Sequence, residues 1–294
     1  MSAEAASTVQ APAAPRAPSQ QSLLRRLAKD KPAFVAFAVL VIIAVMAILA
    51  PVIAPFDPYD NDLRARLKPP SAEHWFGTDV QGRDIFSRLL YGIRMTLLIG
   101  LSGVAIGGGV GAACGLLAAY YKRLDGPIMR LMDVLLSFPS ILFGLAIAAI
   151  TGPGLTALVI ALSIAAIPSV ARISRAAATV TMQNDYMEAG RAVGLSDAAL
   201  IWRYLTLNCL SAIFVYFTLQ FGQTILLGAA LSFLGLGAQP PTAELGTMAS
   251  EGRDFLFIAP HVSTIPSVAI FVIVLMFNVV GDALRDALDP RLRR

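Results

Sequence analysis

Long runs without any Asp, Glu, Lys or Arg divide this sequence and constrain its fold more than any other feature. Five such runs occur: Ala33–Pro55, Met95–Tyr121, Val134–Ala171, Tyr204–Ala243 and Phe255–Gly281. Because a helix needs about 20 apolar residues to cross the hydrocarbon core of a bilayer, each run is long enough for at least one span. Charged residues make up only 14% of the chain, whereas soluble domains carry about 25%. The sequence therefore predicts an all-α membrane protein.

The number of spans follows from the places where these runs are interrupted. Val134–Ala171 has 38 residues, which is too long for one span, and Thr151–Gly154 (Thr-Gly-Pro-Gly) provides a turn in its middle. Tyr204–Ala243 is also long, but the glycines and prolines of Gly235–Pro241 end its helix early. The prediction is six transmembrane helices.

The placement of lysine and arginine predicts the orientation of these helices. If the N-terminus is cytoplasmic, the inner segments hold 16 of the 23 Lys and Arg residues; these segments are 1–32, 121–130, 172–203 and 284–294. The positive-inside rule therefore favours cytoplasmic N- and C-termini. The outer loop 56–94 holds six basic residues and argues in the opposite direction.

The chain divides into three parts along its length. Residues 1–22 are rich in Ala, Pro, Ser and Gln, a composition that cannot bury enough apolar surface to fold, and we assign 1–32 to a disordered cytoplasmic tail. Residues 33–94 form a first transmembrane helix with its outer loop, and 95–294 form a five-helix core. A cleaved signal peptide at Ala33–Pro55 is disfavoured, because the apolar region of a signal peptide spans only about 7–15 residues.

The segment between predicted spans four and five, residues 184–207, is the most informative part of the sequence. Residues 184–192 read as a short helix, Gly194 is placed to end it in the left-handed conformation, and Ser196 can cap a second helix. Two short helices joined at a glycine would form a compact knob at the membrane surface. We expect Tyr186 and Met187 at its exposed tip, where such side chains suit a partner's pocket. An ordinary pair of interfacial amphipathic helices is the alternative.

This segment resembles the EAA loop of ATP-binding-cassette (ABC) importer permeases. Glu188-Ala189 followed by Gly194 matches the motif, whereas Gly190 stands where the family often has a second Ala. Thr206-Leu207 stands where a Leu-Pro pair is common. Further stretches are similar to the dipeptide, oligopeptide and nickel permeases, at residues 74–88, 125–139, 231–241 and 277–291. The resemblance covers residues 33–294 and looks like the permease subunit with an extended loop after span one.

The resemblance implies a multi-pass permease subunit in a bacterial inner membrane, paired with a second homologous permease subunit. Two ABC ATPase subunits would bind the knob, and the residues implied in this coupling are Tyr186, Met187, Glu188, Ala189, Gly190 and Gly194. An extracytoplasmic solute-binding protein would deliver the cargo. ATP and Mg would lie on the ATPase subunits, and this chain would bind no cofactor. The implied cargo is a di- or oligopeptide, with a nickel complex as the alternative within the same family.

The sequence carries no pattern that predicts an enzyme. The phosphate-binding loop G-x-x-x-x-G-K-[ST] does not occur in it, and His74 and His261 are isolated, so we expect neither ATP hydrolysis nor a metal site on this chain. Its basic residues lie between apolar runs and predict no nucleic-acid partner. An ion-coupled secondary carrier is the main rival, but such carriers commonly have charged residues at mid-membrane.

Polar and small residues inside the predicted spans suggest further roles. Three amide side chains are candidates for lining a translocation path, with interhelical packing as the alternative: Gln220, Gln223 and Asn278. Glycines recur every four positions in span two and predict close helix packing: Gly107, Gly111 and Gly115. In the outer loop, Gly82-Arg83-Asp84 suggests a local ion pair between Arg83 and Asp84.

Overall fold

A computed structural model describes residues 30–288 of the chain, so the predicted tail at 1–32 lies almost wholly outside the described residues. Within this part the regular elements are helical, and one isolated bridge pairs Thr78 with Asp84. The helices are α1 (Lys31–Ile48), α2 (Ala50–Ile53), α3 (Ile85–Tyr120), α4 (Lys122–Ser137), α5 (Ser140–Thr151), α6 (Leu155–Thr181), α7 (Asp185–Ala192), α8 (Asp197–Ala199), α9 (Leu207–Phe233), α10 (Leu245–Glu251) and α11 (His261–Leu288). A π-helical segment, Leu200–Thr206, joins α8 to α9, and short 3-10 turns occupy Leu63–Ala65 and Arg253–Phe255.

The prediction of an all-α membrane protein is confirmed. Five elements are long and apolar enough to cross a membrane, and α4 with α5 makes a sixth if this bent pair counts as one span; the five are α1, α3, α6, the continuous element Asp197–Phe233, and α11. The turn predicted at Thr151–Gly154 separates α5 from α6, with Gly152 at φ 82°.

The third predicted span, in the first part of Val134–Ala171, is bent. Helices α4 and α5 meet at 88°, because Pro139 disfavours the helical conformation of Phe138, which is extended at φ −95°, ψ 134°. Helix α5 has only 12 residues, which give a length of about 18 Å, whereas the hydrocarbon core is about 30 Å thick. Helix α5 alone is therefore too short to cross the hydrocarbon core.

Helix α3 begins ten residues before the apolar run that predicted it. The carboxylate of Asp84 accepts a hydrogen bond from the backbone N–H of Ser87 at 2.7 Å and so caps the helix at Ile85. The predicted boundary between residues 94 and 95 consequently falls inside α3, and the 36 residues of this helix reach from the outer loop to the knob.

Helices α3 and α6 form the closest pair in the bundle, and the three predicted packing glycines lie at their contact. A Cβ atom would come within 2.1 Å of the Ser163 carbonyl oxygen at Gly107, 2.5 Å of that of Ile167 at Gly111, and 2.3 Å of that of Ala171 at Gly115. Since lipid tails are as apolar as the side chains, such close packing is what holds membrane helices together. The predicted packing role of these glycines is confirmed.

Helix α10 is a short buried helix between α9 and α11. Its N-cap residue Glu244 is 2% exposed, and its carboxylate accepts hydrogen bonds from the N–H groups of Gly246 and Thr247 at 3.0 and 2.9 Å. It also accepts one from the Thr96 hydroxyl of α3 at 3.0 Å. This buried acid, which no sequence pattern predicted, links α10 to α3.

A buried group of four charged side chains, Asp79, Arg83, Arg88 and Glu251, joins the outer loop to α10, and we call it the outer quartet. Arg83 Nε donates to Asp79 Oδ2 at 2.6 Å, and Arg83 Nη2 donates to Glu251 Oε2 at 2.8 Å. Arg88 lies 3.3 Å from Asp79 and 3.2 Å from Glu251. Two cations and two anions balance, as buried charges require.

The expected ion pair between Arg83 and Asp84 does not form. Asp84 instead caps α3 and lies 3.0 Å from His74 Nδ1. Burial raises the pKa of Glu251, and the guanidinium groups of Arg88 and Arg83 oppose this shift. Arg83 thus pairs with Asp79, four residues before it, and with the distant Glu251, and not with its neighbour Asp84.

We expect Gly107→Ala to lower the free energy of unfolding in detergent by about 1–3 kcal/mol, the range typical of overpacking. The added Cβ would clash with backbone atoms of Ser163, so the helices must separate. Gly109→Ala is the matched control, because a Cβ there meets no atom within 4 Å. Thermal unfolding of the two variants measures the difference, and equal midpoints would contradict the close contact.

Candidate functional site

The knob, residues 184–206, is built as two short helical pieces around one glycine. Helix α7 ends where Gly194, at φ 80°, enters the left-handed region. The Gly194 N–H donates to the Arg191 carbonyl at 3.0 Å and the Leu195 N–H donates to the Gly190 carbonyl at 3.1 Å. These two bonds form a Schellman motif, which ends a helix and satisfies its last carbonyls. Ser196 Oγ then accepts from the Ala199 N–H at 3.3 Å and starts α8.

The inner face of α7 is anchored in an apolar cluster. Met187 is fully buried, at 0% exposure, against Leu200 and Leu205 from the other side of the glycine elbow. Gly190 is buried beside it, where a Cβ would lie 2.8 Å from Leu200 Cδ2. The expectation that Met187 lies at the exposed tip is therefore wrong, because this side chain packs the two helical pieces of the knob together.

The outer face of α7 is open to solvent. Tyr186 is 39% exposed and Val193 is 78% exposed, and Glu188 and Ala189 are exposed between them. An exposed tyrosine and valine beside a carboxylate offer apolar contact area together with a charge, a combination that suits a protein partner. Of the residues expected at the coupling site, Tyr186, Glu188, Ala189 and Gly194 are exposed, whereas Met187 and Gly190 support them from behind.

Side-chain contacts tie the knob to the end of α3. The Tyr120 hydroxyl donates to Asp197 Oδ1 at 2.6 Å, and the Tyr121 hydroxyl donates to Asp197 Oδ2 at 3.2 Å. The guanidinium carbon of Arg191 lies 5.6 Å from the centre of the Tyr120 ring, within cation–π range. Helix α3 therefore contacts both helical pieces of the knob.

The knob continues into α9 through the π-helical segment Leu200–Thr206. The Thr206 hydroxyl donates to the Ile201 carbonyl at 2.8 Å within this segment. Thr206-Leu207, where the resemblance implies a Leu-Pro pair, therefore continues as helix without a break. Short π-helical stretches inside α-helices are frequent at functional sites, and this one forms the last part of the knob, directly before α9.

Helix α4 is held beside α6 at the same end of the bundle. Arg175 pairs with Asp125 through both Nε and Nη2, and Arg172 pairs with Asp133. Both arginines belong to α6, which leads directly into α7. These pairs orient α4 across the end of the bundle.

A cavity of about 490 Å³ opens on the face of α9 that turns toward α5 and α6. Its lining consists of Ser140, Leu162, Ala165, Ser169, Tyr216, Gln220, Gln223, Thr224, Leu226, Leu227 and Ala230. Gln220 and Gln223 sit near the middle of the 27-residue helix α9. The structure thus brings two of the three amide candidates together in one cavity.

Asn278 lies elsewhere, on α11. Its Oδ1 would be 2.9 Å from a Cβ at Gly222, on the side of α9 opposite the cavity. This position fits an amide between two packed helices. Gln223, by contrast, is exposed on the surface of this single chain at mid-helix, and a polar group at that depth must face water or another protein chain.

Sequence reasoning found the knob and missed the residues that connect it to the rest of the chain. Asp197 bonds to Tyr120 and Tyr121, which lie 77 and 76 residues earlier in the chain. The two adjacent tyrosines at the end of an apolar run were the available signal. Among residues 30–288, no group of three or more His, Cys, Asp or Glu side chains could hold a metal ion.

Comparisons with known proteins agree with this architecture. A family model described as the binding-protein-dependent transport system inner membrane component matches residues 111–294, and one described as the N-terminal TM domain of oligopeptide transport permease C matches residues 19–70. The chain is 47% identical over 225 residues to glutathione transport system permease protein GsiD of Pectobacterium atrosepticum, covering 76% of this chain and 75% of the relative. It is 44% identical over 247 residues to GsiD of Escherichia coli O157:H7, covering 82% and 80%.

A solved structure shares the fold. Inward-facing crystal structures of the MetNI methionine ABC transporter include a chain that matches with a TM-score of 0.57 at 19% identity, covering 69% of this chain and 97% of that chain. At this identity the likeness concerns the fold alone.

We expect Gly194→Val to loosen the knob, because a β-branched residue in the left-handed conformation costs about 1–2 kcal/mol. That cost corresponds to amide hydrogen exchange that is about 5–30-fold faster at Gly194 and Leu195, measured by mass spectrometry of the purified protein. Gly194→Asn is the control, since Asn tolerates this conformation. Unchanged exchange in the valine variant would show that the turn does not depend on glycine.

Proposed function

The chain belongs to the family of binding-protein-dependent transport system inner membrane components, and we propose that it forms one permease subunit of an ATP-driven peptide importer. It is a multi-pass protein of the bacterial inner membrane. Peptide is the proposed cargo because the relatives are named for glutathione, itself a tripeptide, and the N-terminal match is to an oligopeptide permease. Family membership favours this over an ion-coupled carrier, and no relative reported above is named for nickel.

The proposed mechanism rests on one observation. The inner face of the knob is packed against the bundle, and its outer face is exposed to solvent. Met187 and Gly190 hold α7 against the bundle, while Tyr186, Glu188 and Val193 face outward. We assign this outer face to a groove on a cytoplasmic ABC ATPase. ATP and Mg lie on two such ATPase subunits in this proposal, and the permease chain carries no cofactor and performs no bond chemistry.

Movement of the knob would reach the membrane by two routes. The first runs through Asp197 to Tyr120 and Tyr121 at the end of α3. The second runs through the π-helical segment into α9, whose side chains line the cavity. ATP-driven closure of the ATPases would thus reorient α9 and change the access to the cavity, which is gating by rigid elements.

The proposed path for the cargo is the cavity that contains Gln220 and Gln223. It is open in the single chain, and a second homologous permease subunit would close it. Exposed apolar side chains support this arrangement, because a second subunit could cover them. Phe138, at the bend before α5, is 53% exposed, and Ile150 of α5 is 82% exposed. An extracytoplasmic solute-binding protein would deliver the peptide on the side of the outer quartet.

We expect Glu188→Lys to remove the ATPase subunits from the complex. A charge reversal in the middle of the exposed face should weaken binding by at least about tenfold, which corresponds to about 1.4 kcal/mol. The measurement is recovery of ATPase with the tagged permease in mild detergent. Asp254→Lys makes the same charge change at an exposed site at the far end of the bundle, and equal recovery from both variants would reject the docking assignment.

Cysteine labelling tests the proposed cytoplasmic placement of both termini. In a chain with Cys114 and Cys209 replaced by Ala, we expect Ala72→Cys in the outer loop to react with a membrane-impermeant maleimide on intact cells. Gly126→Cys in α4 should react only after permeabilisation, because α4 lies at the knob end. Both positions are exposed. The reverse labelling pattern would invert the orientation.

A further inference from the structure

An apolar groove of about 410 Å³ runs between the last turns of α3 and the base of the knob. It is separate from the cargo cavity, with which it shares no residue. Its two walls are formed by Gly109, Ala112, Ala113, Leu116, Leu117 and Tyr121 on one side, and by Ala198, Ile201, Trp202 and Thr206 on the other. The Thr206 hydroxyl is bonded to Ile201 and the Tyr121 hydroxyl to Asp197, so no unpaired polar side chain faces an occupant.

The dimensions of the groove match one hydrocarbon chain. From Gly109 to Tyr121 the wall follows twelve helical steps, which give a length of about 18 Å. One leaflet of the hydrocarbon core is about 15 Å deep, half of the full thickness. The groove has a volume of about 410 Å³ and almost wholly apolar walls, which suits an extended acyl chain.

Basic side chains follow the groove at its knob end. Lys122 and Arg123 come directly after Tyr121 as the first residues of α4, and Arg203 comes directly after Trp202. All three are exposed, and none is paired in an ion bridge among the described residues. Two acids lie at this end, and both already have partners: Asp197 accepts bonds from both tyrosine hydroxyls, and Asp125 of α4 pairs with Arg175.

Trp202 marks the level of the membrane surface. Its side chain is 73% exposed at the groove, and tryptophan is enriched where the hydrocarbon core meets the headgroups. A site for an anionic lipid needs these three elements: an apolar groove about one leaflet deep, a tryptophan at its open end, and unpaired cations beside it.

We propose that an anionic glycerophospholipid from the leaflet that borders the knob binds here. One acyl chain fills the groove, and Lys122, Arg123 and Arg203 receive the phosphate. Because one wall belongs to α3 and the other to the π-helical segment, the lipid lies where the knob meets the bundle. The site therefore makes the position of the knob sensitive to the charge of the surrounding bilayer.

Trp202 provides the measurement. Trp75 is the only other tryptophan in the chain, so Trp75→Phe leaves Trp202 as the sole tryptophan and keeps a ring beside Phe86. This full-length chain is reconstituted in phosphatidylcholine vesicles that contain a small fraction of lipid brominated on its acyl chains, either phosphatidylglycerol or phosphatidylcholine. We expect the brominated phosphatidylglycerol to reach half-maximal quenching at a mole fraction several-fold lower than the brominated phosphatidylcholine.

Two variants separate the groove from general contact with lipid. Gly109→Phe fills the groove from a position where an added Cβ meets nothing, and it should abolish the preference for phosphatidylglycerol. Val110→Phe, the matched control on the next exposed position of α3, should retain it. Lys122→Gln with Arg123→Gln leaves the groove open, and it should reduce the preference even if the phenylalanine variant fails to fold.

Three results would overturn the proposal. Equal quenching by the two brominated lipids would remove the role of the anionic headgroup. A preference that survives both Gly109→Phe and the double glutamine variant would place the lipid elsewhere. Quenching by neither lipid would mean that a protein segment covers Trp202.

Discussion

The direct contact between the backbones of α3 and α6 is the interaction on which the rest of the molecule depends. In a bilayer the hydrophobic effect does not hold helices together, so close packing must do so. At Gly107, Gly111 and Gly115 no side chain separates the two helices. Helix α9 packs on both members of this pair, α11 packs on α9, and α1 packs on α11 and α3. This arrangement positions both the knob and the cavity on α9 that is the proposed cargo path.

The same helix pair also supports the knob. The knob therefore has two kinds of connection to the bundle, a stiff one to α3 and α6 and a more deformable one to α9. Helix α3 ends at Tyr120, whose hydroxyl contacts Asp197, and α6 leads into α7 after Thr181. These contacts hold the knob to the rigid pair. The connection to α9 runs through the π-helical segment, whose wider turns interrupt the regular bonding of an α-helix. A movement of α7 would therefore reach α3 through direct side-chain contacts, and it would reach α9 through a segment that can change its helical winding.

The sequence predicted those features that local chemistry decides. Charge-free runs predicted the membrane-spanning helices, because the hydrocarbon core excludes unpaired charges and unpaired backbone polar groups. Gly194 predicted the turn, because few residues other than glycine tolerate a left-handed backbone conformation. The burial of Met187 depends on Leu200 and Leu205 beyond that turn. A single apolar residue on a short polar helix therefore did not show which way its side chain faces. The outer quartet joins Arg83 to a carboxylate 168 residues away, and a single sequence carries no signal for that pairing. The proline of Phe138-Pro139 was visible in the sequence, but the 88° angle between α4 and α5 depends on the whole packed bundle and not on local sequence alone.

The outer quartet also has a consequence for how such permeases can be recombined. Three of its members lie early in the chain: Asp79 and Arg83 in the loop before α3, and Arg88 at the start of α3. The fourth, Glu251, belongs to α10. A chimera that carried only the first ninety residues of this chain into a relative would transfer three members of a charge-balanced group without Glu251. Two guanidinium groups would then share one carboxylate, unless the recipient has its own acid at the position of Glu251. The N-terminal unit and the α10 segment are in this sense a single cassette, although more than 150 residues separate them in the chain.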